Sequence, residues 1–290
     1  VAEVMLGWLL EETRLSLESH GVEEANLEAD LFLMKALGLD RSRLYSFPER
    51  LVTNEERETL SNDLFRRLNG EPWAYICGYR EFYGLRMKVG PGVFIPRPET
   101  ELLVDLVIEL TRDLARTIPA DRHIRIADIC TGSGAIAVAL AVHLPQALLY
   151  ATDISQSALE MTRINSEEYH VDDRITLLES DLLTLVSGQV DIVVSNPPYV
   201  PQAEISHLAR EVLSEPLVAL DGGYDGLDVV RSLLPQAISK LRRPGAIVME
   251  ISPEQGDEVC LLASALAPNG DFTLHKDLSG RQRAVLARIP

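Results

Sequence analysis

From residue 124 onward the chain alternates short apolar runs with longer amphipathic ones, and this alternation limits the possible folds more than any other feature. Ile124–Ile129, Leu148–Thr152, Ile175–Glu179, Val190–Ser195 and Ala246–Ile251 read as strands. Ala135–Leu144, Ser155–Ser166, Leu227–Leu241 and Glu254–Ala267 read as helices. Alternation at this spacing predicts a mostly parallel sheet covered by helices. Phe272–His275 and Ala284–Ile289 lie too close together for a helical crossover, so they are expected to pair antiparallel.

The preceding residues follow a different period. Residues 3–19 carry Val4, Trp8, Leu9 and Leu15 at roughly helical spacing, and residues 23–37 repeat the pattern with Leu27, Leu31, Met34 and Leu37 before a capping Gly38. Thr53-Asn54-Glu55-Glu56 has the form of a capping box, after which Leu60, Leu64 and Leu68 line one face up to Gly70. Residues 1–70 therefore read as a small helical bundle. Residues 71–95 read as a connector, with extended segments around Gly84 forming a hairpin and a turn at Gly90-Pro91-Gly92. Residues 96–290 form the larger domain.

Charge and cysteine usage exclude several classes. There are 27 basic and 44 acidic residues, a net charge of −17, and neither end of the chain is a basic module. Affinity from neutralised phosphates calls for a positive face, so direct nucleic-acid binding is not expected. Cys77, Cys130 and Cys260 stand far apart without a CxxC, against a disulfide framework and structural zinc and in keeping with a reducing cytoplasm. The six histidines show no metal-ligand spacing, so no metal is expected. The longest strictly apolar run, Ala135–Val142, is far short of the ~20 residues that a membrane span needs. No cationic leader precedes an apolar stretch, so neither a signal peptide nor a membrane partner is expected.

Gly132-x-Gly134-x-x-Ala137 follows the first strand of the alternating region and opens a helix. Glycine there lets the backbone turn tightly and approach a ligand closely. Asp153, at the end of the next strand, can accept hydrogen bonds from both hydroxyls of a ribose. This pattern alone allows either NAD or S-adenosylmethionine.

Asn196-Pro197-Pro198-Tyr199, directly after the strand Val190–Ser195, narrows the choice. Ligands of open α/β sheets sit at the carboxyl ends of strands. Two successive prolines stop the ladder, stiffen the backbone and leave carbonyl oxygens without a local donor. Asn196 adds a side-chain carbonyl, and Tyr199 a flat apolar face. Together they can hold a planar –NH2 group, with two acceptors on its N–H bonds and a ring over its plane. An amide or aromatic amine is a poor nucleophile because its lone pair is delocalised. Accepting its hydrogens raises electron density on nitrogen and aims the lone pair at an electrophile. The sulfonium methyl of S-adenosylmethionine is such an electrophile, and in-line transfer to it depends chiefly on positioning. Nicotinamide would need no such acceptor pair.

With these motifs the chain resembles the release-factor glutamine methyltransferases, often called PrmC or HemK. The resemblance is carried by Gly70-Glu71-Pro72 with Gly78-Tyr79-Arg80-Glu81-Phe82, and by Phe94-Ile95-Pro96-Arg97-Pro98-Glu99-Thr100-Glu101. Asp128 through Ala137, Ser195 through Val200, and Glu215-Pro216 with Ala219-Leu220 and Gly222-Gly223 add to it. It runs from about residue 70 to the end and is weaker over 1–70. It implies an α/β class I methyltransferase fold, a Rossmann-like mixed seven-stranded sheet with helices on both faces, preceded by a helical bundle and a β-hairpin. It implies a monomer that methylates the side-chain amide N5 of the glutamine in the Gly-Gly-Gln motif of peptide chain release factors.

S-adenosylmethionine would be the donor and S-adenosylhomocysteine the product. By position, Cys130, Thr131, Gly132, Ser133, Gly134 and Asp153 would hold its methionine end and ribose, and Asp181 and Leu182 would flank the adenine. Asn196 would stand between the cofactor and the substrate. Asn196, Pro197, Pro198 and Tyr199 would hold the glutamine amide, with Asn196, Pro197 and Tyr199 catalytic, and Phe94, Arg97 and Glu101 would shape the substrate side. The helical bundle would dock the body of the release factor. The family usually has glycine where Cys130 stands and often an aromatic where Leu182 stands. An exocyclic-amine methyltransferase of nucleic acid and a non-catalytic release-factor-binding protein are the alternatives.

Overall fold

The computed structural model describes residues 4–116, 118–119 and 122–290. Residue 3, where the first helix is expected to begin, lies outside the described residues, as do the first residues of the expected N-terminal domain and residues 117, 120 and 121 of the expected larger one. The chain divides into two compact units, one of Val1–Gly78 with Arg210–Ser214 and one of Tyr79–Ala209 with Glu215–Pro290.

In the first unit, β1 (Val4–Met5) pairs antiparallel with β2 (Leu51–Val52), and the helices are α1 (Leu6–Ser19), α2 (Ala25–Leu37), α3 (Arg41–Ser46), α4 (Asn54–Leu68) and α5 (Trp73–Cys77). Leu6, Leu9, Leu17, Phe32, Leu33, Leu44 and Leu60 form its core, and the Trp73 ring meets Phe32 edge-on at 4.5 Å. The capping box exists as expected: the Glu56 N–H donates to Thr53 Oγ1 (3.2 Å), and the Thr53 N–H donates to Glu56 Oε2 (2.9 Å). Gly38 ends α2 at φ 64°. The buried face of α1 differs from the sequence reading. Trp8 and Leu15 are 57% and 51% exposed, while Leu6, Leu9, Thr13 and Leu17 are buried. Thr13 can join that face because its hydroxyl donates to the Leu9 carbonyl (2.8 Å).

The second unit opens with a hairpin of β3 (Tyr79–Phe82) and β4 (Leu85–Lys88). Tyr83 and Gly84 at its turn both have positive φ, 51° and 73°, as a two-residue hairpin turn requires. Then come α6 (Glu101–Ala115), β5 (Ile124–Ile129), α7 (Ala135–His143), β6 (Ala147–Asp153), α8 (Gln156–Glu168), β7 (Ile175–Glu179), β8 (Val190–Ser195) and α9 (Gln202–Ile205). The chain closes with α10 (Asp228–Lys240), β9 (Leu241–Glu250), α11 (Gly256–Leu266), β10 (Asp271–Lys276) and β11 (Gln282–Ile289). Seven strands form one sheet in the order β10-β11-β9-β8-β5-β6-β7. The β7-β6-β5-β8-β9 pairings are parallel, and β11 runs antiparallel between β9 and β10.

Alternate residues of the central strands face two cores. Ile126, Ile192, Val194 and Val248 pack with α6 and α7 on one face, and Ile129, Val193, Ile247 and Met249 pack with α10 and α11 on the other. A parallel strand buried on both faces reads as a continuous apolar run, as these do. The chain leaves β5 towards β6 and β7, then returns to β8 on the other side of β5. That reversal opens a crevice beyond the carboxyl ends of β5 and β8.

Candidate active site

The β5–α7 turn is organised from below by Asp128. Its Oδ2 accepts the Thr131 hydroxyl (2.6 Å) and the Ala137 N–H (3.1 Å), while its buried Oδ1 meets no donor among the described residues. Burial pushes the Asp128 carboxyl up to about 7 against those two hydrogen bonds. Cys130, Gly132 and Gly134 all adopt positive φ, at 60°, 58° and 78°. A Cβ on Gly134 would lie 2.6 Å from Thr162 Cγ2, so a side chain there would force α8 away from the turn. Cys130 bears a left-handed backbone that glycine adopts without strain. Its thiol is pushed well above the ordinary range by burial and by the nearby carboxylates Asp153 and Asp128, so it is no nucleophile.

Asp153 ends β6, next to β5. Its Oδ2 accepts the Gly132 N–H (3.0 Å) and its Oδ1 the Ser155 N–H (2.9 Å), which leaves each oxygen a further lone pair. Burial raises its pKa despite these bonds. The Ser180 N–H donates to the Asp153 carbonyl (3.0 Å), tying the exit of β7 to that of β6. Asp181 follows, exposed, and then Leu182, buried and at φ 52°. The exits of three adjacent strands thus bring together Cys130–Gly134, Asp153, and Asp181 with Leu182. No lysine or arginine occurs in Asp128–Ala137, Asp153–Gln156 or Glu179–Leu183.

Across the crevice, the segment after β8 is tied down on both sides of its two prolines. The Ser195 hydroxyl donates to the Ile129 carbonyl (2.7 Å), and the Gln255 Nε2 donates to the Tyr199 carbonyl (3.0 Å). The Val200 N–H donates to Leu220, and Gly222 returns an N–H to the Val200 carbonyl, both at 2.9 Å. Asn196 Nδ2 donates to Thr100 Oγ1 (3.3 Å), and the Thr100 hydroxyl donates to Glu250 Oε2 (2.6 Å). The Tyr199 hydroxyl donates to Glu250 Oε1 (3.2 Å). Asn196 Oδ1 and the Pro197 carbonyl accept from none of the described residues. Pro197 and Pro198 are buried. Burial pushes the Glu250 carboxyl up to about 7, opposed by Thr100, Arg283 and Tyr199, and burial with the Glu250 charge pushes the Tyr199 phenol up as well.

Of the expected substrate-side residues, Arg97 is paired with the buried Glu215 and lies over the Phe94 ring, 4.8 Å from its centroid. The Ile95 N–H donates to the other Glu215 oxygen (2.9 Å), so one carboxylate shapes the whole Phe94–Arg97 loop. Glu101 is engaged by the hairpin, accepting the Tyr83 N–H (2.7 Å). Sequence reading did not single out Thr100, Glu250 or Gln255. Glu250 had a signal: it is an acid ending a buried apolar strand, as Asp153 is. Among the described residues, no group of three His, Cys, Asp or Glu side chains could hold a metal ion, and no helix is long and apolar enough to cross a membrane.

Residues 9–78 match the model of the PrmC N-terminal domain, and residues 107–225 that of the methyltransferase small domain. The release factor glutamine methyltransferase of Bradyrhizobium diazoefficiens is 40% identical over 293 residues, 99% of this chain and 97% of its own. That of Moorella thermoacetica is 41% identical over 272 residues, covering 93% and 94%. The chain belongs to the release factor glutamine methyltransferase family. It is an enzyme, a methyltransferase. Among solved structures, the hMettl16 catalytic domain in complex with MAT2A 3'UTR hairpin 6 aligns over 76% of this chain and 83% of its own, with a TM-score of 0.58 at 17% identity. The N-terminal domain of human METTL16 in complex with SAH aligns over 83% and 86%, with a TM-score of 0.50 at 17% identity. At that identity these two share its class I methyltransferase fold and nothing finer.

Proposed function

We propose that the protein transfers the methyl group of S-adenosylmethionine to the side-chain amide nitrogen of the glutamine in the Gly-Gly-Gln motif of peptide chain release factors. The observation that carries this reading is the unengaged acceptor pair, Asn196 Oδ1 and the Pro197 carbonyl, on a loop held rigid after β8. Two fixed acceptors suit the two N–H bonds of a carboxamide. Tyr199 covers the amide plane, and the stiff loop holds the nitrogen lone pair in line, so its placement does not have to be re-established at each turnover. The new C–N bond would form as the donor's S–C bond breaks and S-adenosylhomocysteine leaves, and the surplus proton on the amide nitrogen would pass to solvent.

The cofactor assignment rests on the chemistry of the β5–β6–β7 exits. Asp128 Oδ1, the spare lone pairs of Asp153 and the exposed Asp181 form an acidic, acceptor-rich cradle with no basic side chain. That set fits an ammonium, ribose hydroxyls and a cationic sulfonium, and it opposes the diphosphate of a dinucleotide. S-adenosylmethionine supplies the activated methyl carbon, Cys130–Gly134 and Asp153 hold its methionine end and ribose, and Asp181 and Leu182 flank its adenine. The first unit, with its exposed Trp8, Phe47 and Phe65, docks the body of the release factor. The protein acts as a monomer in the cytoplasm and binds no nucleic acid directly, in keeping with its net charge of −17 and three free thiols.

Incubation with methyl-labelled S-adenosylmethionine and, separately, a release factor, RNA and DNA tests this. Label should appear on the release factor alone, and peptide mass analysis should place one added methyl on the Gly-Gly-Gln glutamine. Label confined to nucleic acid would reverse the assignment.

A further inference from the structure

Glu250 and Thr100 lie outside the Asn-Pro-Pro-Tyr loop, yet between them they reach both ends of it. Thr100 sits just before α6, 4% exposed, and Glu250 ends β9, fully buried. Four hydrogen-bonding groups meet in a row: Tyr199 hydroxyl, Glu250 carboxylate, Thr100 hydroxyl and Asn196 carboxamide. The charged groups facing Glu250 are Arg283 on β11 and Glu99 beside Thr100, with the Tyr199 phenol from the loop after β8.

The order of the row fixes its polarity. An ionised carboxylate can only accept, so Tyr199 and Thr100 must both donate to it. Thr100 has one hydrogen, and once that is given to Glu250 its oxygen offers lone pairs only. The neighbouring carboxamide must then present its NH2 to Thr100 and turn its oxygen the other way. Without the carboxylate, Thr100 could donate to Asn196 Oδ1 instead. The carboxamide would flip and place its own N–H groups against those of the incoming amide.

Resting on the glutamine-methylation reading above, we propose that Glu250 and Thr100 are positioning residues. Their relay locks the Asn196 carboxamide with Oδ1 towards the substrate amide. Neither touches the reacting atoms, and their effect passes through Asn196. The relay works only with Glu250 ionised, so turnover gains an acid limb from that group, whose burial places it near neutrality.

The test is steady-state methylation of a release factor by wild type, Thr100→Val, Thr100→Ser and Glu250→Gln across pH 5.5–8.5, with thermal melting of each. Thr100→Val keeps shape and burial but removes both bonds. It should lower kcat about ten-fold or more with the release-factor KM near wild type, while the unsatisfied Glu250 oxygen lowers the melting temperature by a few degrees, so the assays run well below it. Thr100→Ser restores the hydroxyl and should recover kcat to within about three-fold. Glu250→Gln cannot ionise and should lose the wild-type acid limb. Wild-type kcat in Thr100→Val, a serine variant no better than valine, or an unchanged acid limb in Glu250→Gln would each overturn the relay. A wild-type protein inert on release factors would overturn the functional reading beneath it.

Discussion

Gly226 tests whether the rigidity of the Asn-Pro-Pro-Tyr loop matters, because it supports that loop without touching substrate or cofactor. Its φ is +79°, and a Cβ built on it would stand 2.3 Å from the Tyr199 carbonyl oxygen and 2.6 Å from Gln255 Nε2. Gln255 Nε2 bridges the two backbones, donating to Tyr199 (3.0 Å) and to Gly226 (3.3 Å). Gly226→Ala therefore does two things. A left-handed alanine costs about 1–2 kcal/mol. Relieving the overlap moves the Tyr199 carbonyl away and loses at least one Gln255 hydrogen bond, about 1 kcal/mol more. A total of roughly 2–3 kcal/mol lowers the melting temperature by about 4–12 °C in a domain of this size. The shifted carbonyl sits three residues from Asn196, so kcat on a release factor should fall at least about ten-fold. S-adenosylmethionine affinity by calorimetry should hold within about three-fold, because the cradle stands on other strands. Gly280→Ala is the control: its φ is +82°, and a Cβ there meets nothing within 4 Å. It should cost only the same backbone strain, about 1–2 kcal/mol, with kcat unchanged. A Gly226→Ala protein that melts and turns over like Gly280→Ala would refute the claim that loop placement limits the reaction.

Asn196→Ala removes the substrate-facing acceptor and should cut kcat by about 100-fold or more while release-factor binding, read by titration, stays near wild type; comparable turnover would remove its role. Asp191 is fully buried and accepts from Arg122, from Arg242 (3.0 Å) and from the Arg125 N–H (2.9 Å). Asp191→Ala strands both guanidinium groups and should destabilise by about 3–5 kcal/mol in denaturant unfolding, a loss below 1 kcal/mol counting against the pair. Asp128 and Glu250 both hold their protons more tightly folded than unfolded, with pKa values raised to about 7 from 3.8 and 4.5. Their contribution is complete below those ordinary values and is lost as pH rises through about 7, so the ligand-free melting temperature should fall between about pH 4 and 7 and level off above. Asp128→Asn with Glu250→Gln should flatten that slope, and a profile rising across the window would contradict the assignment.

The strands and helices of the second unit were legible because a sheet buried on both faces demands apolar runs, and parallel pairing demands crossovers of helical length. Boundaries slipped where chemistry is not periodic. β9 begins at Leu241, five residues before the expected Ala246, because Leu241 already pairs with Val190; the ladder with β8 then breaks across Arg242-Arg243-Pro244-Gly245 and resumes with Ala246 opposite Ile192. In α1 the spacing of apolar residues did not distinguish the face closed by Leu6, Leu9 and Leu17 from the one that leaves Trp8 exposed, since both repeat with the helical period. Asn196–Tyr199 and Asp153 could be placed at strand exits from sequence because the first directly follows a strand and the second ends one. The Thr100–Glu250 contact spans 150 residues, and pairing at that separation is set by the sheet order, which no local pattern encodes.

Asp128 and Glu250 stand on opposite sides of the crevice and share one design. Each is a buried carboxyl near the end of a central strand, held near neutrality by desolvation, and each accepts from a threonine hydroxyl, Thr131 or Thr100. Burying such a group destabilises the fold unless its acceptors are satisfied. A buried charge is seldom more stabilising than an apolar residue of similar volume, so stability alone does not account for the acids. What a carboxylate gives that an amide or hydroxyl does not is a fixed sense of hydrogen bonding: every neighbour must donate. At Asp128 this turns the Thr131 hydroxyl and the Ala137 N–H inwards and sets the course of the glycine turn. At Glu250 it turns Thr100 and Tyr199 inwards and leaves the Asn196 oxygen facing out. Methyl transfer to an amide calls for a fixed electrophile and an acceptor of fixed orientation opposite it, and the two buried acids set one side each.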